Sequence, residues 1–431
     1  MLDVYVSNQL VGVLDQPDPY TFVFNYMPDA PSTLPVSLLM PKRTESWTSR
    51  DLHPVFQISL PEGALRELIA RKFSKRFEHF GDLELLAVVG ENMIGRITVT
   101  PHGQAPASLT PHESLAHLIK EETSALVDHY LGNRLHESGV SGGFMKFLAK
   151  SPSSQQATRA TLALDKWIIK LNDDDHPNIV LLEYFGMMAA KTAGLPVPEV
   201  YLGEDHRHLL VKRFDVTPEG KHLGFEDFCA LMGLSARDKF TGSVERIIKT
   251  IGAFCQGQQK QKSFDQFFGQ YLLASTIRNG DAHLKNFGLI YDSVTTAQLA
   301  PVYDMLSMSV YAPVRANSQD ANDDMAINFQ GTKRWLTPEA IDALSTQCLI
   351  SPSRKNQWQA QIITALVDTS AKVVDHIRQF PDDGFAPTAN RMLELWAIGL
   401  ETLDTSAAQR VRSAAVGQSK ISRTGATPAC D

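Results

Sequence analysis

The sequence has few cysteines, no excess of basic residues and no long apolar run. Its four cysteines in 431 residues (Cys229, Cys255, Cys348 and Cys430) are far apart and form no C-x-x-C pair. That spacing excludes a disulfide framework and a cysteine-built zinc site, and it reads as reduced thiols in a cytoplasmic protein. Lysine and arginine total 41 against 48 aspartates and glutamates, so the net charge is −7. This balance argues against a general nucleic-acid surface. No stretch approaches the ~20 apolar residues that a bilayer span needs. The opening Met-Leu-Asp-Val-Tyr has no basic region leading into an apolar core, so no secretory signal is expected. What remains is 43% hydrophobic and 21% charged, the composition of a soluble globular chain. At this length two or three domains are expected.

The stretch that carries chemistry is Asn279-Gly-Asp-Ala-His-Leu-Lys-Asn286, with Asp304 further on. Asp281 and Asn286 stand in the pattern D-x-x-x-x-N, the spacing of a catalytic carboxylate and a metal-binding amide in protein kinases. Phosphoryl transfer needs a carboxylate to orient the attacking hydroxyl and oxygen ligands to hold Mg²⁺ on the phosphates. Asp281 can supply the first, and Asn286 and Asp304 the second. Phe264, Phe267, Phe268, Tyr271, Leu272 and Ile277 recur at helical spacing and predict a buried helix entering the loop. Asn279-Gly280 then predicts a break, followed by strands at 287–291 and 298–304. A polar surface turn would also account for the six residues taken alone.

In chain order, residues 1–105 read as a small α+β unit. It has a hairpin around Ser7-Asn8-Gln9, a strand at 20–24, a helix at 61–73 and a strand pair at 83–89 and 93–99. Nothing in it has a catalytic spacing, which favours a packing or partner-binding module. The Pro-, Ser- and Thr-rich segment 100–112 predicts a linker. A small lobe is expected over 113–215. It holds the glycine-rich segment ending at Lys146, whose backbone N–H groups could cradle an anion, and the strand Lys166-Trp-Ile-Ile-Lys-Leu171, with Lys170 among apolar neighbours. A helix from Asn178 to Ala193 follows, carrying Glu183 and ended by Gly194 and Pro196. The strand 208–215 stands where a kinase hinge would be. A helical lobe is expected over 216–405, with helices at 225–232, 243–254, 357–380 and 390–403 and an N-cap at Thr337-Pro338. Residues 406–431 read as a flexible tail.

Together these pieces resemble the HipA family, bacterial serine/threonine kinases that act as toxins in type II toxin–antitoxin modules. The resemblance rests on Gly142-Gly-Phe-Met-Lys146, Trp167-Ile-Ile-Lys170, Lys212-Arg-Phe214, Asp281-x-His-x-Lys-Asn286 and Val302-Tyr-Asp304. It implies an α+β, bilobal protein-kinase-like fold with a small N-terminal subdomain and a largely helical C-terminal lobe. It makes Asp281 the catalytic base and Asn286 and Asp304 the Mg²⁺ ligands. The nucleotide contacts become Ser141, Gly142, Gly143, Phe144, Met145, Lys146, Lys170, Lys212, Arg213, Phe214, His283, Leu284, Lys285, Asn286 and Asp304. One departure concerns regulation. The family's inhibitory autophosphorylated serine falls at Gly139 here, leaving Ser141 and Ser138 as candidates. The resemblance also implies ATP as phosphoryl donor, a protein serine or threonine as acceptor, and neutralisation by a small DNA-binding, HipB-like antitoxin through which DNA is reached only indirectly. A small-molecule or lipid kinase, or a nucleotide-binding pseudokinase, is the alternative.

Overall fold

The computed structural model describes residues 1–73, 80–106, 114–127, 144–146, 160–163, 166–172 and 175–421. The first sheet is antiparallel, with strands β1 (Leu2–Val6), β2 (Gln9–Asp18), β3 (Thr21–Tyr26), β4 (Trp47–Ser49) and β5 (Ile97–Pro101) in the order β4-β3-β2-β1-β5. The predicted hairpin is present. Ser7 and Asn8 both take positive φ, 51° and 63°, as a two-residue turn matched to strand twist requires. The second sheet is β6 (Phe144–Lys146), β7 (Ala160–Ala163), β8 (Trp167–Leu171), β9 (Val200–Leu202) and β10 (His208–Lys212), in the order β6-β7-β8-β10-β9. A third, β11 (Gly224–Asp227), β12 (Gly288–Tyr291) and β13 (Gln298–Leu299), flanks the Asp281 loop.

The helices of eight residues or more among the described residues are α1 (Gly63–Phe73), α2 (Asp82–Val89), α3 (Ile179–Thr192), α4 (Val244–Phe254), α5 (Gly257–Thr276), α6 (Pro338–Gln347), α7 (Pro352–Gln379), α8 (Ala386–Leu400) and α9 (Thr405–Ile421). In α5, Phe267, Phe268 and Tyr271 are fully buried. Each contributes about 2–3 kcal/mol of burial free energy, which fixes the helix that feeds the loop. No helix among the described residues is long and apolar enough to cross a membrane.

Four expectations are corrected. Residues 83–89 form helix α2, not a strand. Leu83, Leu86 and Val89 repeat at helical spacing, and Glu84 accepts a hydrogen bond from the Gly81 amide at 2.8 Å, closing the first turn. The predicted strand 298–304 stops after Leu299, because Pro301 has no N–H to continue the ladder. The predicted helix 225–232 starts only at Phe228. Asp227 caps it, accepting from Ala230 N at 2.8 Å, and the residues before it pair with β12. The predicted tail is helical to Ile421, with Ala407, Ala408 and Val411 buried and Arg412 paired to Glu394 and Glu401 at 3.0 Å each. Alanine is the best helix former, and it outweighs the low-complexity look of this segment.

The N-terminal unit is fastened to the rest by buried polar groups. Asp215 Oδ2 accepts from Gly95 N at 2.7 Å, and Glu226 accepts from Ser37 Oγ at 2.6 Å and from Leu38 N at 2.8 Å. One hydrophobic cluster runs from Val4 and Phe56 through Ile169 and Leu210 to Phe225 and Ile290, so all three sheets share it.

Candidate active site

Helix α5 ends in a Schellman turn. Asn279 N donates to Ala274 O at 2.9 Å, and Arg278 N donates to Ser275 O at 3.2 Å. The left-handed residue is Arg278 (φ 59°), where glycine is usual. An L side chain there costs about 1 kcal/mol, and buried contacts offset it. The Arg278 guanidinium lies 3.3 Å from Asp320 and 5.0 Å from the Trp335 ring. The turn delivers Asn279. Its side-chain oxygen accepts from Asp281 N at 3.3 Å, and its amide donates to Asp304 O at 3.4 Å. Thus Asn279 joins the segment holding Asp281 to the segment holding Asp304. At Gly280 a Cβ would stand 2.0 Å from Asp323 Oδ2, so a larger residue would have to displace that carboxylate.

Asp304 is itself left-handed, at φ 53°, a conformation that Asp tolerates better than most residues. Its Oδ2 accepts from Asn286 Nδ2 at 3.1 Å, and its Oδ1 accepts from Lys170 Nζ. Lys170, on β8, also donates to Glu183 on α3, and both side chains of that pair are buried. The strand lysine, the helix glutamate, Asp304 and Asn286 therefore form one connected group. Asn286 Oδ1 accepts from His283 N at 3.0 Å and keeps a second lone pair. A carboxylate and an amide oxygen are the hard donors that Mg²⁺ takes, so the residues present fit that ion.

Asp281 is about one-third exposed, and its Oδ1 lies 3.8 Å from His283 Nε2. Burial, and next the charge of Lys239, push the His283 pKa down to about 4, so the ring is neutral near pH 7. Among the described residues its Nδ1 meets no hydrogen-bond partner although it is buried.

The other expected contacts divide. Leu284 points into the core, against Gly242. Arg213 is buried in an ion pair with Asp215 and donates to Met93 O at 3.1 Å, so its guanidinium faces the N-terminal unit. Phe214 stacks on Tyr303 at 5.6 Å, and exposed Lys212 pairs with Glu199. Lys285 is held by Glu62 at 2.6 Å. Phe144, Met145 and Lys146 lie on β6. Ser138, Ser141, Gly142 and Gly143 lie outside the described residues. Sequence reasoning missed Glu62 and Asn279. The second had a signal in the Asn-Gly turn; the first, 223 positions from its partner, had none.

Two family profiles match the chain: the HipA N-terminal domain over residues 2–100 and the HipA-like C-terminal domain over residues 138–374. Two curated relatives from Sinorhizobium fredii carry provisional kinase names. Y4mE is 25% identical over 416 residues, 90% of this chain and 94% of its own. Y4dM is 27% identical over 340 residues, 75% of each chain. A chain from the Shewanella oneidensis MR-1 toxin–antitoxin complex of HipA, HipB and operator DNA superposes with a TM-score of 0.64 at 16% identity, covering 96% of this chain and 99% of that one. At that identity the match speaks for the fold.

Proposed function

The chain belongs to the HipA family, and from that premise we propose that it is a serine/threonine-protein kinase of the HipA toxin type. The observation that carries this reading is the continuous group Lys170–Glu183–Asp304–Asn286 beside the partly exposed Asp281. A lysine–glutamate pair joining strand to helix, meeting the acidic residue that follows the catalytic loop, is the arrangement that kinase chemistry requires.

In this reading the acceptor hydroxyl oxygen forms a bond to the γ-phosphorus of ATP. The bond from that phosphorus to the β,γ-bridging oxygen breaks, ADP leaves, and the hydroxyl proton passes to the Asp281 carboxylate. Lys170 places a cation at the phosphates, and Glu183 keeps it extended along the cleft. Asn286 and Asp304 would hold Mg²⁺, which would supply neutralisation of the phosphate charge. Neutral His283 flanks Asp281 in this reading. Lys212 to Phe214 contribute backbone at the hinge, since the Arg213 side chain is engaged elsewhere.

The proposed acceptor is a protein serine or threonine, and the proposed place of action is the cytoplasm. The proposed neutralising partner is a small DNA-binding antitoxin, through which an acidic chain would reach DNA. Purified protein incubated with labelled ATP–Mg²⁺ and with separate protein, lipid and metabolite extracts tests this. Label is expected in protein only, and mass spectrometry of the chain itself reports on Ser138 and Ser141. Asp281→Asn and Asp304→Asn should each lower transfer about 10³-fold or more, with the unfolding temperature of Asp281→Asn unchanged. Wild-type transfer by either variant overturns the assignment, and label confined to lipid or metabolite moves it to the other kinase class.

A further inference from the structure

We propose that His206, His376 and Asp383 form a binding site for a divalent transition metal of the Zn²⁺ type, separate from the Asn286–Asp304 pair. The three residues come from three segments. His206 lies in the turn between β9 and β10, His376 in the last turn of α7, and Asp383 in the link from α7 to α8. One ligand atom from each lies within 4.8 Å of the other two. Asp383 Oδ2 is 2.8 Å from His376 Nε2 and 3.5 Å from His206 Nδ1. The other carboxylate oxygen of Asp383 accepts from Phe385 N at 2.9 Å, which turns Oδ2 toward both imidazoles.

Hydrogen bonding explains only the shorter contact; 3.5 Å is too long for a good one. Two metal–ligand bonds of about 2.05 Å at a tetrahedral angle separate the ligand atoms by about 3.3 Å, close to what the longer contact shows. The donor set of two imidazoles and a carboxylate suits Zn²⁺ and its neighbours, with water as fourth ligand, and does not suit Mg²⁺.

The surroundings hold the ligands in place. His206 is left-handed, at φ 57°, in a turn closed by its amide donating to Gly203 O at 3.0 Å. Phe380 packs against both imidazoles, with ring centroids 4.3 and 5.0 Å away, and Phe185 and Phe385 wall the far side of His376 at 5.5 and 5.7 Å. The ligand side chains are 10–15% exposed, enough for an ion to enter. A bound ion ties the β9–β10 hairpin to α7, behind the helix that carries Glu183.

The full-length protein, in excess Mg²⁺ to occupy oxygen-rich sites, is titrated with Zn²⁺ against a chromogenic chelator. Co²⁺ is added in a separate titration followed by its visible absorption. We expect one equivalent of Zn²⁺, a four-coordinate Co²⁺ spectrum and a higher unfolding temperature with metal. His206→Gln and Asp383→Asn, which leave His376 and its contacts with Phe185, Phe380 and Phe385 in place, should each weaken Zn²⁺ at least tenfold and abolish the thermal shift. Absence of stoichiometric uptake by the wild type, or wild-type affinity in either variant, overturns the site. Kinase activity is not part of the readout, so failure here leaves the proposed function untouched.

Discussion

Lys285, inside the D-x-H-x-K-N stretch, donates to Glu62 of the N-terminal unit at 2.6 Å, and Lys239 approaches the other oxygen of the same carboxylate at 3.0 Å. One glutamate ahead of α1 thus sets where a lysine near the proposed catalytic carboxylate rests. Lys285 also feels Asp227. Burial alone would lower its pKa, and Glu62 first, then Asp227, raise it instead. The N-terminal subdomain is therefore part of the wall of the proposed active site.

This clamp has a pH signature. Burial alone would raise the Glu62 pKa, but Lys285 and Lys239 outweigh it and bring the group from 4.5 down to about 2. A folded pKa below the unfolded one contributes stability that is present in full above 4.5 and lost as pH falls toward 2. The carboxylate is half-exposed, so water screens the pair and about 1 kcal/mol is the expected contribution. Urea unfolding of wild type and Glu62→Gln should differ by that amount from pH 5 to 8 and converge between pH 4.5 and 2. A gap that stays constant down to pH 3 would rule the clamp out.

A second prediction concerns the buried lysine. Lys170→Met leaves Glu183 and Asp304 facing each other without the cation between them. Removing one partner of a buried pair typically costs about 3–5 kcal/mol. Asp304 is 26% exposed and can recruit water, which puts the expected loss at the low end, about 3 kcal/mol. Adding Glu183→Gln to Lys170→Met should recover part of it, because a buried charge that had faced the lysine is removed. Urea unfolding of the four proteins as a double-mutant cycle measures the coupling. Strict additivity of the two losses contradicts the connected group.

The parts legible in the sequence were those written locally. The Asp281 loop, the strand carrying Lys170, the Glu183 helix with its Gly194 terminator and the Ser7–Asn8 turn each announce themselves within a few residues, through periodicity or turn chemistry. Segment 83–89 misled because Leu83-Glu-Leu85 also alternates, and only the Gly81–Glu84 cap decides for a helix. Residues 298–304 misled because apolar residues flank Pro301, which ends the ladder. What no local pattern could give was the joinery. Glu62 meets Lys285, Gly95 meets Asp215 and Ser37 meets Glu226 across more than a hundred residues each. Such pairs depend on how finished units dock, and periodicity carries no information about that.

The last prediction lies at Gly186, one turn beyond Glu183 on α3, where packing leaves no room for a side chain. A Cβ there would stand 2.0 Å from Met305 O and 2.8 Å from its carbonyl carbon, backbone atoms immediately after Asp304. Alanine favours a helix interior over glycine by about 1 kcal/mol, but overpacking against backbone costs about 1–3 kcal/mol or more. At 2.0 Å the clash wins, because no side-chain rotation can relieve it. Gly186→Ala is therefore expected to destabilise by about 1–2 kcal/mol, and to lower phosphate transfer at least tenfold by pushing Asp304 away from Asn286. Gly194→Ala is the control. Its nearest neighbour is 3.5 Å away, so space is adequate, and the φ of +86° alone costs about 1 kcal/mol. Its transfer rate should stay at the wild-type level, since the strain sits at the far end of α3. Equal rates in the two variants would mean that contact between α3 and the Asp304 segment does not position the site.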